Sequence, residues 1–514
     1  MIRIENVSKA YGERIILKNI NYHFPQGERI ALIGANGQGK TTLLSILVNP
    51  GESDDGKIIQ PNSMRLGYLA QAPRPKPCET ILEECMAGHQ ELADIHHKMT
   101  LALHKMETDY SEQVHEDYDN LLNAYIQGNG YEWEGLAEKV LLGLGFTTEQ
   151  LNHPPQSLSG GWRMRLELAR ILVSKPDFMI LDEPTNHLDL PTIEWLEEYL
   201  LDYEGTLVFV SHDKAFLNNL ATITLYLNHG TLTAYAGNFD DFMEQRDQTS
   251  QTQAATARKI VERKAHMQKF VDRFRGQPTK AGQVGSRKKM IDRLNAVISG
   301  LPQEEAQAHI HMPKLTVPTC GKVVVTLNDL RIGYDPAKPL NKKMSTTILK
   351  GEKVAILGAN GIGKSTLLKT IAGTIPPLGG DFELGHNVMM HFFTQDAADK
   401  LEKSKKVFDT LQEANPELSH QTLMSVLGAF LFRGNDVRKL VSVLSGGEKS
   451  RLALACLLAQ PGNFLMLDEP TNHLDIASTN ILAEMINTYP GTILYVSHDR
   501  DFVSQTANRI LEIR

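Results

Sequence analysis

Two lysines, Lys40 and Lys364, each sit at the end of a glycine-rich segment, GANGQGKT (34–41) and GANGIGKS (358–365). Glycines at this spacing let successive backbone N–H groups wrap a phosphate chain, with a helix N-terminus pointing at it. The residues so placed are Gly34, Ala35, Asn36, Gly37, Gln38, Gly39, Lys40, Thr41 and Thr42 in one copy. In the other they are Gly358, Ala359, Asn360, Gly361, Ile362, Gly363, Lys364, Ser365 and Thr366. The lysines suit the β- and γ-phosphates, and the Thr41 and Ser365 hydroxyls suit Mg2+. Apolar runs ending in Asp–Glu put Asp182 and Asp468 near that metal, and Glu183 and Glu469 within reach of an attacking water. His212 and His498, each in an SHD at the end of a further apolar run, can hold the γ-phosphate and the water. Gln71 and Gln395 suit sensing of the metal and the water. Tyr11 and Tyr334, in AYGERIIL and GYDPAKPL, could stack on adenine or simply fill the core.

A second kind of phosphate cap accompanies these loops. LSGGW (158–162) and LSGGE (444–448) place Ser159, Gly160 and Gly161, and Ser445, Gly446 and Gly447, at the start of helices. Each module already has a phosphate loop, so each cap is expected to serve the other module's ATP. One site is then Lys40, Thr41, Asp182, Glu183 and His212 closed by Ser445–Gly447. The other is Lys364, Ser365, Asp468, Glu469 and His498 closed by Ser159–Gly161.

The elements that must carry these residues repeat as well. RIALIGANGQGKTTLL and KVAILGANGIGKSTLL read as buried strand, loop and helix. DFMILDEP and TLVFVSHD, with NFLMLDEP and TILYVSHD, read as strands whose carboxyl ends hold the polar residues, the place where open α/β sheets bind ligands. Lys40 to Lys364 and Gln71 to Gln395 are both 324 residues, whereas Ser159 to Ser445, Asp182 to Asp468 and His212 to His498 are 286. A duplicated domain with one 38-residue insertion in its first copy explains the difference. The expected domains are 1–238, a linker 239–319, and 320–514.

The bulk properties narrow the class. In 514 residues no run approaches the ~18 apolar residues of a membrane span, and the start lacks a signal-peptide pattern. Four scattered cysteines suggest neither a disulfide frame nor a zinc site. The expectation is a soluble, cytoplasmic protein, with its net charge of −8 unevenly spread.

Two segments interrupt the duplication. Residues 246–295 carry thirteen Lys or Arg against four acids, and Gly276, Pro278 and Gly282 break two helical stretches, so a helical hairpin with a basic tip is predicted. Arg273, Arg275, Lys280, Arg287, Lys288 and Lys289 are its candidate RNA contacts; a solvated connector is the plainer reading. The insertion, about 88–127, keeps 3/4 apolar spacing on either side of Thr108–Ser111 and holds eight acids and two lysines. A second hairpin is expected there, repelled by RNA and suited to a basic protein, or else a subdomain without a partner.

With its duplicated motifs the chain resembles the ATP-binding-cassette (ABC) superfamily. SLSGGWRMRLELARIL (157–172), PTNHLD in both copies and FVDRFRGQPTKAGQVGSRKKMIDRL (270–294) make it similar to the ABC-F branch of translation factors. The resemblance implies an α/β fold of two tandem P-loop ABC ATPase domains, each a parallel-rich sheet core with a helical subdomain, joined by an α-helical hairpin linker. It also implies a monomeric ATPase with intramolecular cassette pairing. Its partner would be the ribosome near the exit-tRNA site, with the linker toward rRNA and tRNA and the insertion as the family's arm, possibly on a ribosomal protein. Glu183 and Glu469 match the catalytic bases. Trp162 departs from the Glu or Gln that usually ends the signature and points to unequal sites. The short linker points to a housekeeping rather than a resistance role. The rival reading is the ATPase subunit of an importer with two fused cassettes, for which a long basic linker has no use; a DNA-repair ATPase would need zinc cysteines or long coiled coils.

Overall fold

The computed structural model describes the chain except residues 1, 13, 62, 71–79, 107–111, 187, 274–279, 301–316, 395, 473 and 514. In the first half a six-stranded sheet runs Leu66–Leu69, Phe178–Asp182, Thr206–Val210, Arg29–Ile33, Ile223–Asn228, Thr231–Ala236, parallel but for the last strand. The second half repeats it with Met390–Phe393, Phe464–Asp468, Thr492–Val496, Lys353–Leu357 and Arg509–Glu512, all parallel. Phe178–Asp182, Thr206–Val210 and their counterparts are buried at every position, as continuous apolar runs between two layers must be.

Alternation sorts each strand between two cores. Ile30 and Leu32 pack with Leu43, Leu44 and Leu47 of the helix Lys40–Val48, under the antiparallel sheet of Arg3–Tyr11, Arg14–His23 and Asp55–Ile59. Ala31 and Ile33 face the other way, toward the helices Gly130–Gly143, Gly160–Ser174 and Leu190–Leu201. Truncating Leu44, fully buried, to Ala would cost about 2–5 kcal/mol. The helix bearing Lys40 is thereby fixed to the strands Phe178–Asp182 and Thr206–Val210, the second of which leads on to His212.

The insertion forms two helices packed together, Gln90–Met106 and Glu112–Gln127. Ahead of them Thr80 and Glu83 close a reciprocal cap on the helix Ile81–Met86. Helix Phe239–Arg273, 35 residues and so about 50 Å long, packs against Ala281–Gly300. Gly282, expected in the break, lies inside the second helix, and Arg287, Lys288 and Lys289 stand on that helix rather than on the turn. Arg275, Gly276, Pro278 and Thr108–Ser111 lie outside the described residues. Among the described residues no helix is long and apolar enough to cross a membrane.

Candidate functional site

Each phosphate loop begins at the carboxyl end of a buried strand and runs straight into a helix. A side chain at Gly34 would meet Leu227 O at 2.5 Å, and one at Gly39, φ 100°, would meet Ile16 Cγ2 at 2.3 Å. Only glycine lets the loop lie this close to its own sheet. Lys40 Nζ donates to Gly34 O at 2.7 Å and Lys364 Nζ to Gly358 O at 2.8 Å and Ala359 O at 3.0 Å. Both ammonium groups are thus turned onto their own loop's carbonyls. Burial holds both below the usual lysine range, against the pull of Glu183 and Glu469.

The acidic residues meet these loops as the sequence pattern anticipates. Thr41 Oγ1 donates to Asp182 Oδ2, and Ser365 Oγ to Asp468 Oδ1, each at 2.8 Å. A hydroxyl beside a buried carboxylate is a hard oxygen pair that fits Mg2+. Glu183 and Glu469 sit one residue past the strand ends with φ of 56° and 48°, a left-handed conformation that costs a non-glycine residue of order 1–3 kcal/mol. That turn aims the carboxylates inward. Glu183 Oε2 is buried and makes no hydrogen bond, and Oε1 lies 3.1 Å from His212 Nε2; Glu469 Oε1 lies 3.3 Å from His498 Nε2.

Burial, only partly offset by the lysines, pushes both glutamates up to about 7. His498 is lowered to about 4, chiefly by burial and then by the Lys364 charge, so its ring is neutral near pH 7. His498 Nε2 hydrogen-bonds with Asn360 Oδ1 at 3.2 Å, so its approach to Glu469 is the contact of a neutral imidazole rather than an ion pair. A buried carboxyl that titrates near neutrality is suited to taking a proton from water.

A cavity of about 510 Å³ gathers Asn36, Gly37, Gly39, Lys40, Thr41, Thr42, Asp182, Glu183 and His212 from one half with Ser445, Gly446 and Gly447 from the other. At this cavity the phosphate loop of one half therefore faces the signature of the other. The second cavity, about 420 Å³, gathers Asn360, Gly361, Gly363, Lys364, Ser365, Thr366, Glu469 and His498. Its wall from the first half is Thr185 and Leu188, and Ser159–Gly161 are not among the described residues that line it. Tyr334, 70 % exposed, lines the second cavity. Tyr11, 59 % exposed with Lys9 Nζ 5.5 Å from its ring centroid, is not among those lining the first, where Ile16 stands. Gln38 turns away and accepts the His229 N–H at 2.9 Å. Gln71 and Gln395 lie outside the described residues.

Sequence reasoning assigned no role to Asp189 and Asp475, the last residues of the repeated PTNHLD. Each caps its own helix, accepting from Thr192 and Ser478 N–H. With its other oxygen Asp189 accepts the Asn360 N–H at 2.7 Å, and Asp475 the Asn36 N–H at 3.2 Å. Both carboxyls stay below the usual range because these hydrogen bonds outweigh burial. Lys214 with Asn480 (2.9 Å) and Arg500 with Glu194 (3.6 Å) repeat the same two-fold relation at the interface. The signal was the motif's exact duplication; the partner lay more than 170 residues away in sequence.

Comparison with known proteins agrees with this geometry. A family model described as ABC transporter matches residues 17–186 and again 341–472, and a second so described matches 225–312. The ATP-binding protein YdiF of Bacillus subtilis is 38 % identical over 517 residues, all of this chain and 80 % of that protein. ABC transporter F family member 5 of Arabidopsis thaliana is 36 % identical over 521 residues, covering 100 % of this chain and 75 % of it. Among solved structures, an RNase-L inhibitor superposes with a TM-score of 0.60 at 18 % identity, over 99 % of this chain and 87 % of that one. An archaeal ribosome recycling factor, aABCE1, solved with the stalk protein aP1, gives 0.59 at 19 %, over 99 % and 87 %. At such identity they speak for the shared fold of tandem P-loop cassettes. The chain thus belongs to the ATP-binding-cassette family, in its ABC-F branch.

Proposed function

We propose that this protein hydrolyses ATP at two sites shared between its cassettes and uses the closure to act on the ribosome. The observation that carries the ATPase reading is the first cavity, where Ser445–Gly447 face Lys40, Asp182, Glu183 and His212. In that reading Glu183 and Glu469 accept the proton of the attacking water, His212 and His498 orient that water, and Lys40 and Lys364 leave their loop carbonyls for the phosphates. Thr41 with Asp182 and Ser365 with Asp468 would hold Mg2+, which neutralises phosphate charge when bound. The domain limits are 1–238, 239–319 and 320–514. The helical hairpin of the linker carries Arg273, Lys280, Arg287, Lys288 and Lys289 toward rRNA or tRNA, and the acidic arm meets a basic ribosomal protein.

The ribosomal half of the reading is supported by family membership and by the linker's charge. It places the protein in the cytoplasm as a monomer whose cassettes pair within one chain. A Glu183→Gln, Glu469→Gln double variant with ATP should pellet with ribosomes and, by crosslinking from Lys105, reach a ribosomal protein. Failure to pellet with ribosomes sinks the translation reading; pelleting with membranes would favour an importer subunit.

A further inference from the structure

A further cavity, of about 490 Å³, adjoins the Lys40 cavity, and Lys40 and His212 line both. Three parts of the chain meet in it. The first half supplies Tyr226, the root of the helix Phe239–Arg273 supplies Phe242, Met243 and Arg246, and the second half supplies Ile476 and Ala477. None of these six is among the described residues that line either nucleotide cavity. A space of this size, walled by apolar and aromatic side chains with a few polar groups, has the make-up of a small-molecule pocket.

One wall is made of rings. Tyr226 and Phe242 have centroids 5.2 Å apart, with Phe239 5.9 Å beyond Phe242, and such a wall offers a planar ligand a face to lie on. The polar groups of the lining differ in what they have left to give. Asp475 accepts the Ser478 and Asn36 N–H groups, one with each oxygen, and Asp240 accepts from Asn218 Nδ2 at 2.9 Å. Lys40 is turned onto its loop carbonyls. Lys214 donates to Asn480 Oδ1 at 2.9 Å and has Asp501, a further member of the lining, 3.7 Å away to balance its charge. Arg246 is the exception. It makes no hydrogen bond among the described residues, stands 5.5 Å from the Phe242 ring centroid, and has only the exposed Asp247 near it, at 3.7 Å. An exposed pair at that distance contributes little. A guanidinium has five N–H donors in one plane and grips an oxyanion through two of them.

We propose that this cavity is a further binding site, for a small planar aromatic molecule that carries one anionic oxygen group. The Tyr226 and Phe242 rings take its face, Arg246 takes its charge, and Ile476 and Ala477 close on it from the second half. The site is separate from the two nucleotide sites, and it stands whether or not the chain hydrolyses ATP.

The probe is anilinonaphthalene sulfonate, an aromatic oxyanion whose fluorescence rises in apolar surroundings, titrated into the full chain. Binding should be saturable and should survive an excess of a non-hydrolysable ATP analogue with Mg2+. The uncharged relative N-phenylnaphthylamine should bind the wild type about tenfold more weakly, the scale of one hydrogen bond to a charged group. Arg246→Gln should weaken the sulfonate by about the same factor and leave the uncharged probe as it was. Ala477 is exposed at the start of its helix, so Ala477→Trp adds a ring to the cavity rather than to the core and should abolish saturable binding of both probes. Melting temperatures show which variants fold. Absence of saturable binding, displacement by the ATP analogue, or equal affinity of the wild type and Arg246→Gln for the sulfonate overturns the proposal. Equal affinity of the wild type for the charged and uncharged probes overturns it too, and that comparison needs no variant.

Discussion

Replacing Glu183 with Gln should stabilise the nucleotide-free protein at alkaline pH and leave it nearly unchanged in acid. The cause is the burial that lifts the Glu183 carboxyl from 4.5 to about 7 in the folded chain. A raised folded value means that the native state binds the proton more tightly than the unfolded chain does. Stability therefore falls as pH rises through 4.5, and the full cost is present above about 7. A shift of this size corresponds to about 3 kcal/mol, with the relief from Lys40 already contained in it. Gln has nearly the same shape and no charge to bury, so it escapes the penalty. For a cooperative unit of roughly 200 residues, 3 kcal/mol raises the melting temperature by about 6–12 °C. Calorimetry without nucleotide, at about pH 4 and about pH 8, is the assay. Glu469→Gln should repeat the result, and the two should add, because the sites lie in separate cassettes. An equal shift at both pH values would assign the effect to packing, and no shift in alkali would show that burying this charge costs nothing.

The same ionisation should govern turnover with the opposite sense: kcat/KM for ATP should fall about tenfold per pH unit below about 7 as the base becomes protonated, and a flat profile there rules out Glu183 and Glu469 as bases. Asp189→Asn keeps a good helix cap but weakens the acceptor for Asn360, so it should slow turnover at the Lys364 site without lowering the melting temperature. Asp189→Ala should do both, at about 1 kcal/mol for the lost cap. Changing Arg287, Lys288 and Lys289 together to Ala should flatten the salt dependence of single-stranded RNA binding by about two in log–log slope, measured by filter retention; an unaltered slope removes them from the contact.

Much of the candidate site was legible because it is local. A loop such as 34–41 between a buried strand and a helix is written in consecutive residues, and so is the Asp–Glu pair at a strand end. Duplication then removed the ambiguity that a single copy leaves. What stayed hidden depends on distance or on backbone angles. Nothing in PTNHLD says that its aspartate spends one oxygen on its own helix and the other on the facing loop. Nothing in DEP says that the glutamate is left-handed. Tyr11 and Tyr334 occupy matched phrases, yet they differ in whether they reach a cavity, because Arg3–Tyr11 continues almost directly into Arg14–His23 while a longer loop separates Val323–Arg331 from Met344–Leu349. Composition did identify the linker as helical and basic, but the second helix already begins at Ala281, which places three of its cations on the helix rather than on the turn.

The hairpin Phe239–Arg273 and Ala281–Gly300 turns the meeting of two half-sites into an event within one molecule. Separate cassettes would have to find each other by diffusion, and their pairing would weaken with dilution. A tether of this kind supplies an effective concentration on the order of millimolar, whatever the amount of protein in solution. On the proposed reading, closure would then be first order, set by nucleotide rather than by abundance. The same covalent link would, on that reading, let the two halves diverge, since each phosphate loop would face the other half's signature and never a copy of its own.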